Sequence, residues 1–235
     1  MEKFDKLSII IPAYNEADSL PILLETIDQV QFPLEHEVIV VDDGSTDGTA
    51  DFVRRLPEKY RKVIQSRNQG KGAAIRKGFE EAKGDVIVIQ DADVEYDPTE
   101  LGLVIAPILS GRADVVYGSR FITTHPRRVL YFHHYFANRF LTFISNMFTG
   151  LNLSDMETGY KAFTRPALEK IASRLRSKRF GIEPELTAQI AKNGLRVYEV
   201  GVSYHGRTYE EGKKITWRDG LAAIWHIIRF NLFSK

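Results

Sequence analysis

Residues 38–49 read Val38-Ile39-Val40-Val41-Asp42-Asp43-Gly44-Ser45-Thr46-Asp47-Gly48-Thr49, and the abrupt change within them decides the fold class. Four consecutive β-branched apolar residues favour a strand buried on both faces. The chain then turns polar at once, and Gly44 permits the unusual backbone angle of a tight turn. An acid at such a strand end could accept hydrogen bonds from a base or a ribose. The plainer alternative is a turn feeding a capped helix. Both hold if Asp47 or Ser45 caps while Asp43 binds.

The same succession recurs on either side. Residues 7–11 form a predicted strand, followed by the polar cluster 12–16 and a helix over 17–30, with Asp18 or Ser19 near its cap. After the strand at 37–41 come a helix over 46–56, a strand at 63–65 and a helix over 72–82 that ends near Gly84. Residues 86–89 are apolar on both faces and therefore central. They lead to the acidic cluster 91–95, a helix over 98–109 and a strand at 114–117. This rhythm predicts an α/β fold: a mostly parallel sheet with helices on both faces and ligands outside the carboxyl ends of the strands. The clusters 12–16, 42–47 and 91–95 should therefore line one crevice.

The second half is less regular. It predicts an aromatic-rich helix over 131–149, a strand at 160–163, helices over 166–174 and 184–192, a strand at 195–202 and an amphipathic helix over 217–233. With no internal repeat and no long linker, 1–235 reads as a single domain in which 217–235 is a C-terminal amphipathic helix. The net charge of +1 gives no bulk field for nucleic acid. The lack of cysteine excludes disulfides, cysteine–zinc sites and a thiol nucleophile. No secretory signal is read at the N-terminus. The longest apolar candidate, 129–151, is broken by His133, His134, Asn138, Arg139 and Asn146, so no membrane span is expected.

Asp91-Ala92-Asp93 follows the central strand directly, with Glu95 close behind and no basic residue beside the pair. Two carboxylates one residue apart can hold Mg²⁺ or Mn²⁺ shared with substrate phosphates; the alternative is an acidic loop that caps a helix. Gly70-Lys71-Gly72 lacks the P-loop pattern. A glycine turn before a helix is the simpler reading there, although it could bring Lys71 to a phosphate.

Taken together, these motifs resemble the GT-A fold glycosyltransferases of family 2. The resemblance runs through Ser8-Ile9-Ile10-Ile11-Pro12-Ala13-Tyr14-Asn15-Glu16, Val41-Asp42-Asp43-Gly44-Ser45, Asp91-Ala92-Asp93, Gly118-Ser119-Arg120, Glu157-Thr158-Gly159-Tyr160-Lys161 and residues 207–214. It is nearest to the branch of dolichyl-phosphate mannose synthases and polyprenyl-phosphate glucosyltransferases. It implies that Pro12, Tyr14, Glu16, Val41 and Asp43 hold the nucleoside of a nucleoside-diphosphate sugar, and that Lys71, Asp91, Ala92, Arg207 and Lys213 complete the donor site. Asp91, Asp93 and Glu95 are the implied metal ligands; Glu95 stands where that branch often has Gln. Asp93, Asp155 and Arg120 are the implied catalytic residues, and Arg120, Arg128 and Arg139 the acceptor-phosphate contacts.

The implied reaction inverts the anomeric centre, with GDP-mannose or UDP-glucose as donor and a polyprenyl or dolichyl phosphate as acceptor. A phosphate monoester, with its second pKa near ~6, is already largely dianionic and needs no general base. It needs cations, and Arg127 and Lys214 join the candidates above. Asp155 is expected to orient basic neighbours rather than act as a base. A hydroxyl acceptor is the rival, with Asp155 or Glu157 as base. A sugar nucleotidyltransferase is disfavoured because its glycine-rich, arginine-containing N-terminal loop is absent; a non-catalytic binding module is disfavoured by the intact acidic pair. A lipid acceptor implies a cytoplasmic protein in peripheral contact with the cytoplasmic membrane face. The aromatic helix at 131–149 is the expected contact, and the C-terminal helix could equally serve the core or the membrane.

Overall fold

The computed structural model describes residues 3–122, 128–129, 131–208, 210 and 217–234, with 217–219 as backbone only. In chain order the elements are β1 (Lys6–Ala13), α1 (Ser19–Gln29), β2 (Glu35–Asp42), α2 (Thr49–Arg55), β3 (Tyr60–Ile64), α3 (Lys71–Glu81) and β4 (Val86–Ile89). A 3₁₀ turn (Pro98–Glu100) leads into α4 (Leu101–Leu109). Then come β5 (Val115–Ser119), α5 (Phe132–Thr149), β6 (Lys161–Thr164), α6 (Arg165–Ala172), α7 (Ile182–Lys192), β7 (Val197–Gly201) and α8 (Trp217–Ile228), which ends in a π turn (Arg229–Phe233).

The seven strands form one sheet in the order β3-β2-β1-β4-β6-β5-β7. Only β6 runs antiparallel to its neighbours, so the expected mostly parallel sheet is present. Pleating divides the apolar strands between two cores. Leu7, Ile9, Ile11, Val38, Val40, Val86 and Val88 face α1 and α4. Ile10, Ile39, Val41, Ile87 and Ile89 face α3, α6 and α7. Both sheet faces are covered, which is why these strands read as continuous apolar runs rather than alternating ones.

Several boundaries move for physical reasons. The second helix starts at Thr49 rather than 46, because Asp47 Oδ1 accepts from Thr49 N at 3.0 Å and Gly48 sits at φ +103°. At α1 the expected side-chain cap is not made; Ser19 instead donates to Glu16. The strand β3 begins at Tyr60, since Arg61 and Lys62 pair with β2 although they break the apolar run.

Helix α5 buries only Leu141, Thr142 and Ser145. Phe132, Tyr135, Phe136, Phe140, Phe143 and Phe148 are exposed. Helix α8 sends Ala223 and Ile227 into the core and leaves Leu221 and Trp225 outside. No described helix is long and apolar enough to cross a membrane.

Candidate functional site

The carboxyl ends of β1, β2 and β4 open onto one cleft of about 400 Å³, a size suited to a small-molecule ligand. Its first wall is made by two loops stitched together. Asn15, at φ +54°, donates its backbone N–H to Ser45 Oγ (2.9 Å) and accepts from Thr46 N (2.9 Å). Glu16 N donates to Thr49 Oγ1 (2.9 Å), and Ala17 N to Asp47 Oδ2 (3.1 Å). The polar residues after β2 thus hold the loop after β1.

Asp43 lines the cleft and pins a second loop. Its oxygens accept from Gln65 Nε2 (3.0 Å), Gln69 N (2.9 Å) and Gly70 N (2.7 Å), tying β2 to the start of α3. Burial raises the Asp43 carboxyl above the usual range, opposed by those backbone N–H groups. The close approach also dictates Gly44, where a Cβ would meet the Arg67 carbonyl carbon at 2.4 Å.

The acidic pair at the end of β4 is held differently. Lys71 Nζ lies 2.7 Å from Asp91 Oδ1 and 3.4 Å from Glu183 Oε1. Arg207 reaches Asp93 at 3.4 Å and Glu16 at 3.2 Å. Glu95 accepts from Tyr204 Oη (2.8 Å) and Arg207 N (2.7 Å). Although no basic residue stands beside the pair in sequence, two cations come to it from distant segments. Among the described residues no three His, Asp or Glu side chains are grouped to hold an ion; Lys71, Arg207 and Tyr204 engage oxygens of Asp91, Asp93 and Glu95. Val94, between them, stands at φ +53°, a strained angle for a β-branched residue.

Burial pushes the Asp93 carboxyl up to about 7, and the charges of Asp91 and Glu95 add to the rise while Arg207 opposes it. Burial also disfavours the Lys71 ammonium, yet Asp91 and Glu183 outweigh it and raise its pKa. A pocket with this surplus of carboxylate suits a divalent cation held by Asp91 and Asp93 and completed by ligand phosphate oxygens. Gly159 is required nearby, since a Cβ there would lie 2.0 Å from Asp91 Oδ2.

Across the cleft, Arg120 forms a two-pronged pair with Asp155 (Nε–Oδ2 2.6 Å, Nη2–Oδ1 2.7 Å). Asp155 is fully buried and also accepts from Arg120 N (3.1 Å). Both of its oxygens are thus engaged by Arg120. Glu157 lines the cleft, and its Oε1 is buried without a partner among the described residues. Burial, with Glu183 adding, pushes its carboxyl up to about 7 against the pull of Lys161 and Arg120.

Pro12, Tyr14, Glu16, Asp43, Lys71, Asp91, Ala92, Asp93, Glu95, Arg120 and Arg207 all line this cleft. Val41 does not, being fully buried in the core. Arg128 and Arg139 also lie outside the lining; their guanidinium groups donate to Gly206 O and Ser154 O. Lys213, Arg127 and Lys214 fall outside the described residues. Sequence reasoning missed Glu183 and the buried Lys161, which pair with each other and extend the line Lys161–Glu183–Lys71–Asp91. Glu183 stands just before the helix read from 184 in the sequence, and in the structure it is an acid in the first turn of α7. Tyr96, Tyr204 and Arg179 also line the cleft, without a sequence signal.

Residues 8–172 match the family model for glycosyl transferase family 2. The chain is 40% identical over 119 residues to a dolichol-phosphate mannosyltransferase of Pyrococcus furiosus; the match covers 50% of this chain and 34% of that protein. It is 31% identical over 207 residues to a polyprenol monophosphomannose synthase of Mycolicibacterium smegmatis, covering 85% of this chain and 77% of the relative. Among solved structures, glucosyl-3-phosphoglycerate synthase of Mycobacterium tuberculosis, in complex with Mn²⁺, UDP and glucosyl-3-phosphoglycerate, superposes with a TM-score of 0.73 at 20% identity, over 96% of this chain and 78% of that one. That likeness concerns the fold, a GT-A arrangement. The convergent strand ends, the acidic pair and the matched residues agree, and the chain belongs to glycosyl transferase family 2.

Proposed function

We propose that the protein moves a hexose from GDP-mannose or UDP-glucose to a polyprenyl or dolichyl phosphate, with inversion, at the cytoplasmic face of a membrane. The observation that carries this reading is the meeting of Asp91 and Asp93 with Lys71 and Arg207 inside the cleft. A diphosphate supplies negative charge to the two cations, and a divalent ion supplies positive charge to the two carboxylates. The nucleoside lies against residues 12–16 and Asp43. Lys71 and Arg207 turn to the diphosphate, and Arg120, held by Asp155, meets the acceptor phosphate. A phosphate oxygen attacks the anomeric carbon, and the bond to the nucleoside diphosphate breaks with its electron pair. Mg²⁺ or Mn²⁺ at Asp91 and Asp93 would neutralise the departing diphosphate. The relatives named for polyprenol- and dolichol-phosphate mannosyl transfer support the acceptor class, as does the exposed aromatic face of α5, suited to the headgroup level of a bilayer.

One observation favours a second reading. Glu157 has an unpartnered oxygen in the cleft and a pKa raised to about 7, as a base for a sugar or protein hydroxyl would. A single experiment separates the two. The protein is incubated with GDP- and UDP-sugars, Mg²⁺ or Mn²⁺, and either a polyprenyl phosphate or soluble hydroxyl acceptors. Glycosylated lipid phosphate is expected, together with salt-sensitive binding to anionic vesicles that Phe136→Glu and Phe140→Glu weaken. Transfer to a hydroxyl alone, with vesicles ignored at low salt, would replace the first reading by the second.

A further inference from the structure

A second cavity, of about 480 Å³, is bounded by the segment before α3, the loop 177–181 and His226 of α8, and it shares only Asn68 and Arg179 with the cleft. Its lining carries Arg67, Lys178 and Arg179 and no carboxylate. All three cations are exposed, and none stands within ion-pair distance of a carboxylate among the described residues, although Arg179, which also lines the cleft, acts on Asp43 from further away. The lining also contains two buried polar atoms without a partner, Ser177 Oγ and His226 Nδ1. Ser177 itself is only 8% exposed. The one acid acting on His226, Glu185, is fully buried, and its two oxygens accept from Arg176 N (2.8 Å) and Ser177 N (2.7 Å). Glu185 therefore fixes the loop while its lone pairs are spent on the backbone. The imidazole lies close against Gly181, where a Cβ would come within 2.8 Å of the ring. Its position is thereby set.

Unpaired cations around a cavity whose buried polar atoms lack partners call for an acceptor-rich anion. We propose that this cavity is a second anion site, taking a phosphate group between Ser177 Oγ, His226 and the side chains of Arg67, Lys178 and Arg179. The site is independent of the transferase reading. A free phosphate and an anionic lipid headgroup offer the same chemistry, and the exposed Leu221 and Trp225 on α8 leave the second source open to it.

The test follows the His226 ring by NMR in the full chain, its signal assigned with His226→Gln. One arm adds inorganic phosphate; the other adds phosphatidylcholine vesicles containing phosphatidylglycerol. A saturable shift of His226 is expected in at least one arm. Response to phosphate assigns a free anion, and response to vesicles alone assigns a headgroup. Ser177→Ala, and Arg67→Ala with Lys178→Ala, should each weaken the response at least about tenfold. Lys71→Ala, in the other cleft, should leave it in place. Ser177→Ala removes a hydroxyl that has no partner, so the variant should fold. A His226 signal indifferent to both additions, or one that moves equally in the variants, overturns the site.

Discussion

Strands β2 and β4 flank β1 on opposite sides, run parallel to it and end in acidic pairs, yet the two pairs are built on different principles. Asp42 and Asp43 take their hydrogen bonds mainly from backbone N–H groups: Gly44 and Ser45 on one oxygen of the first, whose Oδ1 is buried without a partner among the described residues, and Gln69 and Gly70 for the second. Asp91 and Asp93 face the side-chain cations Lys71 and Arg207. Backbone donors are fixed by the fold. A long side-chain cation can leave one partner for another at the expense of rotamers alone. Under the proposed function the first pair would be a wall and the second an exchange site, where Lys71 and Arg207 would trade carboxylates for phosphates on arrival of a metal–diphosphate.

The sharpest way to break this comparison is Asp93→Ala. If the β4 pair is the exchange site, turnover should fall by roughly 10³-fold, while circular dichroism and melting stay near those of the parent. Chelator should have the same effect. Full turnover with chelator present would show that the pair serves only to hold its two cations.

Glu183 ties the exchange site to the core. It pairs with Lys71 at the cleft and with Lys161, which is fully buried, behind it. Glu183→Gln removes the ion-pair partner of the buried Lys161 ammonium and leaves only the Glu157 carboxyl acting on it from further away, which should cost about 3 kcal/mol. Urea unfolding would read this directly. A loss below about 1 kcal/mol would mean that Thr158 O, the other Lys161 acceptor, is sufficient.

The wall should respond more gently. Asp43→Ala removes one charge-assisted contact to the donor and frees Gln69 and Gly70, so donor affinity should drop roughly tenfold by calorimetry. A larger loss than that of Asp93→Ala would invert the comparison.

This contrast explains how much was legible in the sequence. The runs 38–41 and 86–89, each ending in acids, displayed the sheet, the crevice and most of its lining, because local periodicity carries that information. The partners of the acids were not legible. Arg207 meets Glu16 across 191 residues of sequence, and nothing near Asp93 announces it. Glu183 lies in the first turn of a helix, where acids are common for dipole reasons alone. Arg128 and Arg139 were named for their charge; in the fold each gives a guanidinium N–H to a backbone carbonyl outside the cleft lining, contacts that no local pattern announced. Val41 was implied by the resemblance alone; the pleat sends its side chain to the core, so only its backbone could face the cleft.

The smallest expected effect concerns Glu157, between the wall and the exchange site. Its carboxyl titrates at about 7 in the fold against 4.5 as an ordinary glutamate, chiefly because burial disfavours the charged form. A raised carboxylate pKa means that the folded state binds the proton more tightly than the unfolded chain does. The stabilisation from its protonated form is therefore complete below pH 4.5 and is lost as pH rises to about 7, beyond which it changes no further. Glu157→Gln keeps the shape and removes the titration. The melting temperature of the parent should fall from pH 5 to pH 8 by more than that of the variant, since both share every other titrating group. Parallel pH profiles would place a compensating cation on Glu157 and remove the observation that favours a hydroxyl acceptor. A clear difference, with lipid-phosphate transfer intact in the variant, would make Glu157 a buried acid beside the cleft rather than the base of the reaction.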